Sequence, residues 1–516
     1  MEEGLLKASM PGFWGGENSD WSPHALLPNQ CVSIINAVVD PSGQLVSRGG
    51  TKKITSAQPS PGQPILSGFK YYDPTTGART RIIQAGKKLF TLTDAGVATP
   101  LLVSGRNLKS GVPLRWGQAF ATGICLFSGG KLNSYDGTTA VALASENMPE
   151  HISRWCENLD RVFCVSNDEP NHVYRSPSQS VTDAWDTTDY SPFKVIRGDR
   201  VKDLVAMSNW VMVFKERSIH RLDGSTIYDT AKSVLSQELG LLGNTAGGYR
   251  GTAIWLSPEG VIFYNEAGDD PFVNISENRV NSAILAPSES MLDQAVGCFY
   301  PKKRLYLLAI PYISNNTIFV FDLKTRNPAG GLAFPCTRWQ MPFAVSAIWT
   351  EDGVSDGGAL YFGSTDGHVY RGDYGASDDG VNIAGSFQTA FSTLLNAKGD
   401  ELPDRIKNVR RLILEAQING TASLQLVGDF GQSYWPTDGT SLQATSTFAD
   451  SGALVWGVGK WGVGKWGKAY VPMQEITVSK FNASRLSLKM SWSSKERVTV
   501  SPPTVMYFPR DARVRP

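Results

Sequence analysis

Residues Gly358 to Asp373 read GALYFGSTDGHVYRGD. An apolar strand leads into a tight Asp366-Gly367 turn, and a second strand carrying Tyr370 leads out. An Asp-Gly pair between alternating apolar residues is a strong short-range hairpin signal, because both residues tolerate positive φ. The same phrase recurs upstream: GKKLFTL at Gly86, GGKLNSYDG at Gly129, EPNHVYR at Glu169, ERSIHRLDG at Glu216, PEGVIFYN at Pro258 and NNTIFVFDL at Asn315. Each is preceded by an apolar strand, such as RVFCVSN at Arg161 or GTAIWLSP at Gly251. Units open near Ile65, Leu114, His151, Val201, Thr245, Ala295 and Ala344. Their mean spacing of roughly 46 residues is that of propeller blades.

One four-stranded unit has two apolar faces and cannot cover them alone. Radial stacking buries both and leaves only short edges. The expected fold is therefore all-β, a β-propeller of six or seven blades. Seven units can be placed, but the first is irregular, so six blades behind a leading hairpin also fit.

The bulk composition agrees. Gly (51 residues) and Pro (29) are abundant and long charge-rich helical stretches are scarce, as in a chain of short strands and turns. The 41% hydrophobic content and mean hydropathy of −0.19 support a sizeable core. Basic and acidic side chains nearly balance, 49 against 48, which argues against a dedicated DNA binder. No apolar run approaches the ~20 residues of a membrane helix, so no membrane insertion is expected. MEEGLLKASMPGFWGG at the start lacks the basic and apolar regions of a secretory signal.

Three regions follow. Residues 1–33 read as an extended arm, rich in Gly, Pro and Asn, whose Trp14 and Trp21 need a surface to cover them, either this chain's core or a neighbouring subunit. Residues 34–383 read as the propeller, opened by a hairpin, IINAVVD-PSG-QLVSRGG. Residues 384–516 read as a β-sandwich, since RLSLKMSW at Arg485 alternates apolar and polar residues at period two. Within it WGVGKWGVGKWG, residues 456–467, is expected to be an exposed loop. Trp456, Trp461 and Trp466 give it contact area, and Lys460 and Lys465 keep it soluble. With Trp14 and Trp21, these residues form the candidate partner contacts. Helical signal is slight: KSVLSQELGLLG from Lys232, and ENRVNSAIL from Glu277 with Ser276 as its cap.

Catalytic and metal-binding patterns are missing. The five histidines, His24, His151, His172, His220 and His368, form no HExxH or HxH. The six cysteines, Cys31, Cys125, Cys156, Cys164, Cys298 and Cys336, form no CxxC and read as buried apolar residues of a protein assembled under reducing conditions. There is no GxSxG elbow and no phosphate-binding GxxxxGK[ST] loop. The acid pairs Asp269/Asp270 and Asp378/Asp379 match no calcium loop and read as turn residues. No catalytic residue, metal or cofactor is assigned, and the chain is read as a non-enzyme.

Two segments carry a resemblance. NAVVDPSGQLVSRGG, from Asn36 to Gly50, is similar to an opening of short-tailed bacteriophage tail proteins, which carry Asn, then Asp-x-x-Gly, then Arg-x-Gly. YFGSTDGHVYRGDYGASDDGVNI, from Tyr361 to Ile383, looks like a second signature of that group, which there closes the propeller and leads into a C-terminal β domain. The group comprises tail nozzle or hub proteins and the related packaged-DNA stabilisation proteins. The resemblance implies a virion protein that assembles in the host cytoplasm as a ring of six copies. Such a ring extends the DNA channel below the portal and adaptor, meets the tail fibres, and passes double-stranded DNA without reading its sequence. The alternative is a carbohydrate- or receptor-binding propeller, with or without glycan hydrolysis, in which exposed Trp stacks on sugars.

Overall fold

The computed structural model describes residues 5–101, 103–104, 112–194, 198–226, 228–249, 251–268, 270–311, 316–326, 328, 330–351, 358–394, 405–418, 420–428, 441–448 and 473–510. Seven antiparallel meanders of four strands follow one another as blades, the second extended by the short parallel strand Val103–Ser104. Their first, inner strands are Ile65–Tyr72, Trp116–Ala119, Ile152–Asn158, Val201–Ala206, Gly247–Tyr249, Val296–Tyr300 and Val345–Glu351. Six blades use contiguous sequence. The seventh takes its outer strand, Lys52–Lys53, from near the N-terminus, with Tyr370 opposite Lys53 and Arg371 opposite Lys52. Blade 7 then packs on blade 1 through Ala347, Trp349 and Tyr361 against Ile65 and Ile83, which closes the circle.

Two of the blade seams share a steric pattern. A bulky residue of one blade lies where its neighbour has glycine. A Cβ on Gly68 of blade 1 would stand 2.3 Å from the Trp349 ring of blade 7, and one on Gly117 of blade 2 would stand 2.7 Å from Trp155 of blade 3. The apolar second strands, such as Trp210–Lys215, Thr252–Ser257 and Leu305–Ala309, are almost wholly buried. They are covered on both faces, so they read as continuous rather than alternating apolar runs.

The remaining strands form two sheets of a sandwich. One runs in the order Leu6–Ser9, Thr504–Arg510, Ile406–Gln417, Thr499–Val500, Leu45–Ser47, Ala37–Val39, with Met473–Ala483 also paired to Ile406–Gln417. The other continues blade 6. From the outer strand Cys336–Gln340 it passes to Gln30–Ile35, Ile383–Thr389, Leu486–Ser494, Gly420–Gly428 and Ser441–Phe448. Propeller and sandwich thus share one ten-stranded sheet. Phe13, Cys31, Ile34 and Leu45 from the N-terminal side share a core with Phe387, Leu412, Leu488 and Tyr507.

Several expectations need correction. The first 33 residues are not a separate extended arm, because Leu6–Ser9 and Gln30–Ile35 are sandwich strands. The hairpin over 37–47 likewise belongs to the sandwich, and the propeller begins with Lys52–Lys53. The reason is pairing: these segments dock on strands hundreds of residues away, which no local pattern reports. Third, the helix read from Lys232 is the outer strand Ala231–Ser236 of blade 4. Its apolar periodicity is weak, and the ladder to Ile219–Asp223 overrides it. The helix Asn281–Leu285 does form, but Ser276 does not cap it. Asp20 does so instead, accepting from the backbone N–H groups of Asn281 at 2.9 Å and Ser282 at 3.0 Å.

Candidate functional site, a buried clasp between the two sequence signatures

The hairpin Ala37–Val39/Leu45–Ser47 directs Arg48 inward, beneath the chain as it leaves blade 7. The guanidinium is met there by Asp378. Nη1 donates to Oδ1 at 2.9 Å and Nη2 to Oδ2 at 2.5 Å. Both side chains are buried. Arg48 Nε donates to Asn36 Oδ1 at 2.9 Å, and its remaining N–H groups reach the carbonyls of Gly49 and Gln340. Thr51 donates its N–H and its hydroxyl to the same Asp378 oxygen. Asn36 Nδ2 donates to Ala384 O at 2.7 Å, on the first strand after the propeller. An arginine fork filled on every side is the geometry in which a buried charge pair holds, since each ion is both paired and hydrogen-bonded.

The backbone bears the cost of this arrangement. Asn36, Asp373 and Asp379 have φ of 56°, 51° and 50°. Asn and Asp tolerate this region best among non-glycine residues. The two glycines that end the hairpin are sterically required. A Cβ on Gly49 would lie 2.3 Å from Asp373 Oδ1, and one on Gly50 would lie 2.1 Å from Ser377 O. Asp373 in turn binds Lys303 Nζ at 2.5 Å and Tyr300 Oη at 3.1 Å on blade 6. The Arg-Gly-Gly of the first signature and the Asp-rich turn of the second are therefore two halves of one joint. The turn reading of Asp378 is corrected: its carboxylate is a buried counter-ion.

A second buried pair ties the closing blades. Arg81 of blade 1 donates to Glu351 of blade 7 at 2.6 and 3.0 Å and to Tyr361 Oη at 2.8 Å. Its guanidinium also stands over the Tyr361 ring. A third tie holds the N-terminal segment, where buried Glu17 meets Arg338 of blade 6 at 2.7 Å.

A cavity of about 350 Å³ lies between the inner strands. Trp116 and Trp349 line it, together with Arg115 and Arg154 and the glycines Gly68, Gly247 and Gly297. That volume has room for a small molecule.

The structure separates the candidate contact residues. Trp14 is packed against the sandwich core and lies over Gly12 and Gly43, whose φ is 80°, with its indole N–H toward Pro41 O at 3.5 Å. Trp21 remains exposed at the surface. Trp456, Lys460, Trp461, Lys465 and Trp466 lie outside the described residues. The clasp was not singled out as a site from sequence. Its signal was present, since Arg48 and Asp378 stood in the two segments already set apart.

Among the described residues no cluster of His, Cys, Asp and Glu could hold a metal ion, and no helix is long and apolar enough to cross a membrane. All six cysteines are unpaired thiols, and burial pushes Cys125, Cys156 and Cys298 up to about 12.

No protein-family description and no curated protein matches this sequence. Many solved structures resemble it in fold. The extracellular domain of BT4673 from B. thetaiotaomicron is 10% identical, with a TM-score of 0.43 in one structure and 0.42 in another. This chain spans 57% and 39% of the lengths of those two chains, which cover 76% and 62% of it. The WD40 domain of Neurospora crassa Pan2 is 12% identical with a TM-score of 0.41, over 63% of this chain and 95% of that one. Virginiamycin B lyase from Staphylococcus aureus is 11% identical with a TM-score of 0.39, over 62% and 98%.

Proposed function

We propose that this protein is a structural component of a short-tailed phage tail, a nozzle or hub subunit. Six copies would form a ring below the portal and adaptor, extend the DNA channel, retain the packaged genome and release it on ejection. The observation that supports this reading is the Arg48–Asp378 clasp. The two segments that resemble tail proteins meet there and join propeller to sandwich through groups that satisfy one another. A joint of this kind transmits force and leaves no group free for chemistry. The sheet shared by blade 6 and the sandwich adds stiffness in the same place.

In this reading the conduit is the space enclosed by the ring of subunits. A lumen with few Lys/Arg–phosphate contacts suits passage, because each such contact retards release. Docking to the adaptor and tail fibres would fall to exposed surfaces such as that around Trp21. The test is assembly. Purified protein mixed with the tail adaptor and viewed by electron microscopy is expected to form closed rings seated on the adaptor. Protein that stays monomeric at every concentration and never joins the adaptor would rule the reading out.

A further inference from the structure

Between the outer strand of blade 3 and the outer half of blade 4 lies a cavity of about 550 Å³, within the range of small-ligand sites. Its floor is a buried ion pair. Lys215 Nζ stands 3.3 Å from Asp199 Oδ2 and donates to Lys194 O at 2.8 Å. Asp199 is turned inward and fully used, accepting from Arg217 N–H at 2.8 Å and from Ser218 Oγ at 2.6 Å. Its charge is thus neutralised inside the protein. Asp199 is the one carboxylate on the described wall, whereas Lys194, Arg217, His220 and Lys232 all line it as well. Lys232 is anchored by donating to Pro192 O at 2.8 Å and stands over the Phe193 ring.

The histidine is oriented. The Ser218 hydroxyl gives its one proton to Asp199, so at 3.0 Å the His220 Nε2–H must donate to Ser218 Oγ. Nδ1 is left as the second nitrogen of the ring, able to donate once protonated. Burial, with Lys215 nearby, holds His220 below its usual value in the free protein.

We propose that this cavity binds the oxyanion group of a small organic molecule of about monosaccharide size, a phosphate or sulfate monoester or a carboxylic acid. Excess positive charge, a buried ion pair at the floor and an oriented imidazole together make a preorganised anion site. The apolar walls at Phe193 and Val234 leave room for the body of the ligand. The site is remote from the clasp, and its failure would leave the tail reading untouched.

Isothermal titration of the full chain with glucose 6-phosphate, inorganic sulfate and neutral glucose tests it. Glucose 6-phosphate is expected to bind at least about tenfold more tightly than glucose, an interval of about 1.4 kcal/mol, with sulfate competing. The exposed-head variants Lys232→Met and Arg217→Met together should weaken it by about tenfold with an unchanged melting temperature. Sulfate, whose charge is constant across neutral pH, should bind better at pH 6 than at pH 8. Equal affinity for glucose and its phosphate, binding untouched by the double variant, or no binding of either anion would overturn the proposal.

Discussion

At the scale of residues, burial separates ion pairs that hold the fold from those that decorate it. Arg48 and Asp378 are out of water, so losing one partner strands the other charge. Arg48→Met should cost about 3–5 kcal/mol, because an unpaired buried carboxylate remains. Arg200→Met, which breaks an exposed pair with Glu216, should cost under about 1 kcal/mol. Thermal melts of both variants against the parent read the contrast, and equal shifts would contradict it. The histidines give a pH prediction. His220 and His368 both titrate below 6.5, chiefly because burial disfavours the charged ring, with Lys215 and Lys53 adding repulsion. Their folded values are depressed, so the unfolded chain binds protons first as pH falls. Their contribution is complete above about 6.5 and is lost on acidification through the lower folded values. NMR titration of the two rings, alongside melts from pH 8 to pH 5, should show both effects with that sign.

At the scale of elements, the seams explain why some inner-strand positions are glycine. Gly68→Ala should cost about 1–3 kcal/mol by forcing the Trp349 ring aside. Shrinking that ring in a Gly68→Ala, Trp349→Phe double variant should recover part of the loss, and a double-mutant cycle measures the coupling. The inner strands begin within about two residues of the unit starts read from the periodic pattern alone. They were legible because an apolar run, a tight turn and an aromatic strand are local features. The outer strands were less legible. Ala231–Ser236 is largely exposed, so neither face imposes a clean pattern, and its weak helical spacing misleads. Helix Asn281–Leu285 was visible, while its cap, Asp20, was not, since it arrives from the far end of the chain.

At the scale of the whole molecule, the N-terminal 53 residues are the thread that ties the parts together. They supply strands to both sandwich sheets, the cap of a helix beside blade 5, the Arg48 half of the clasp and the last strand of blade 7. A chain lacking residues 1–53 is therefore expected to lose cooperative folding of propeller and sandwich together. Removing a dangling arm would leave the melt intact. Circular dichroism melts and limited proteolysis distinguish the two outcomes, and a truncated chain that melts like the parent would refute the interlocked architecture.

The amino-acid order alone determined the class of fold, the spacing of the blades and the two segments worth attention. The first two rest on interactions between residues close in the chain, where turn chemistry and strand periodicity act directly; the segments were set apart by their resemblance to tail proteins. The tertiary structure alone decided which distant segments pair. It moved the opening hairpin into the sandwich, gave Asp20 to a helix and set Arg48 against Asp378. Those outcomes turn on burial and charge pairing between positions hundreds of residues apart. A side chain's partner across such a distance is fixed only when the sheets have closed around it.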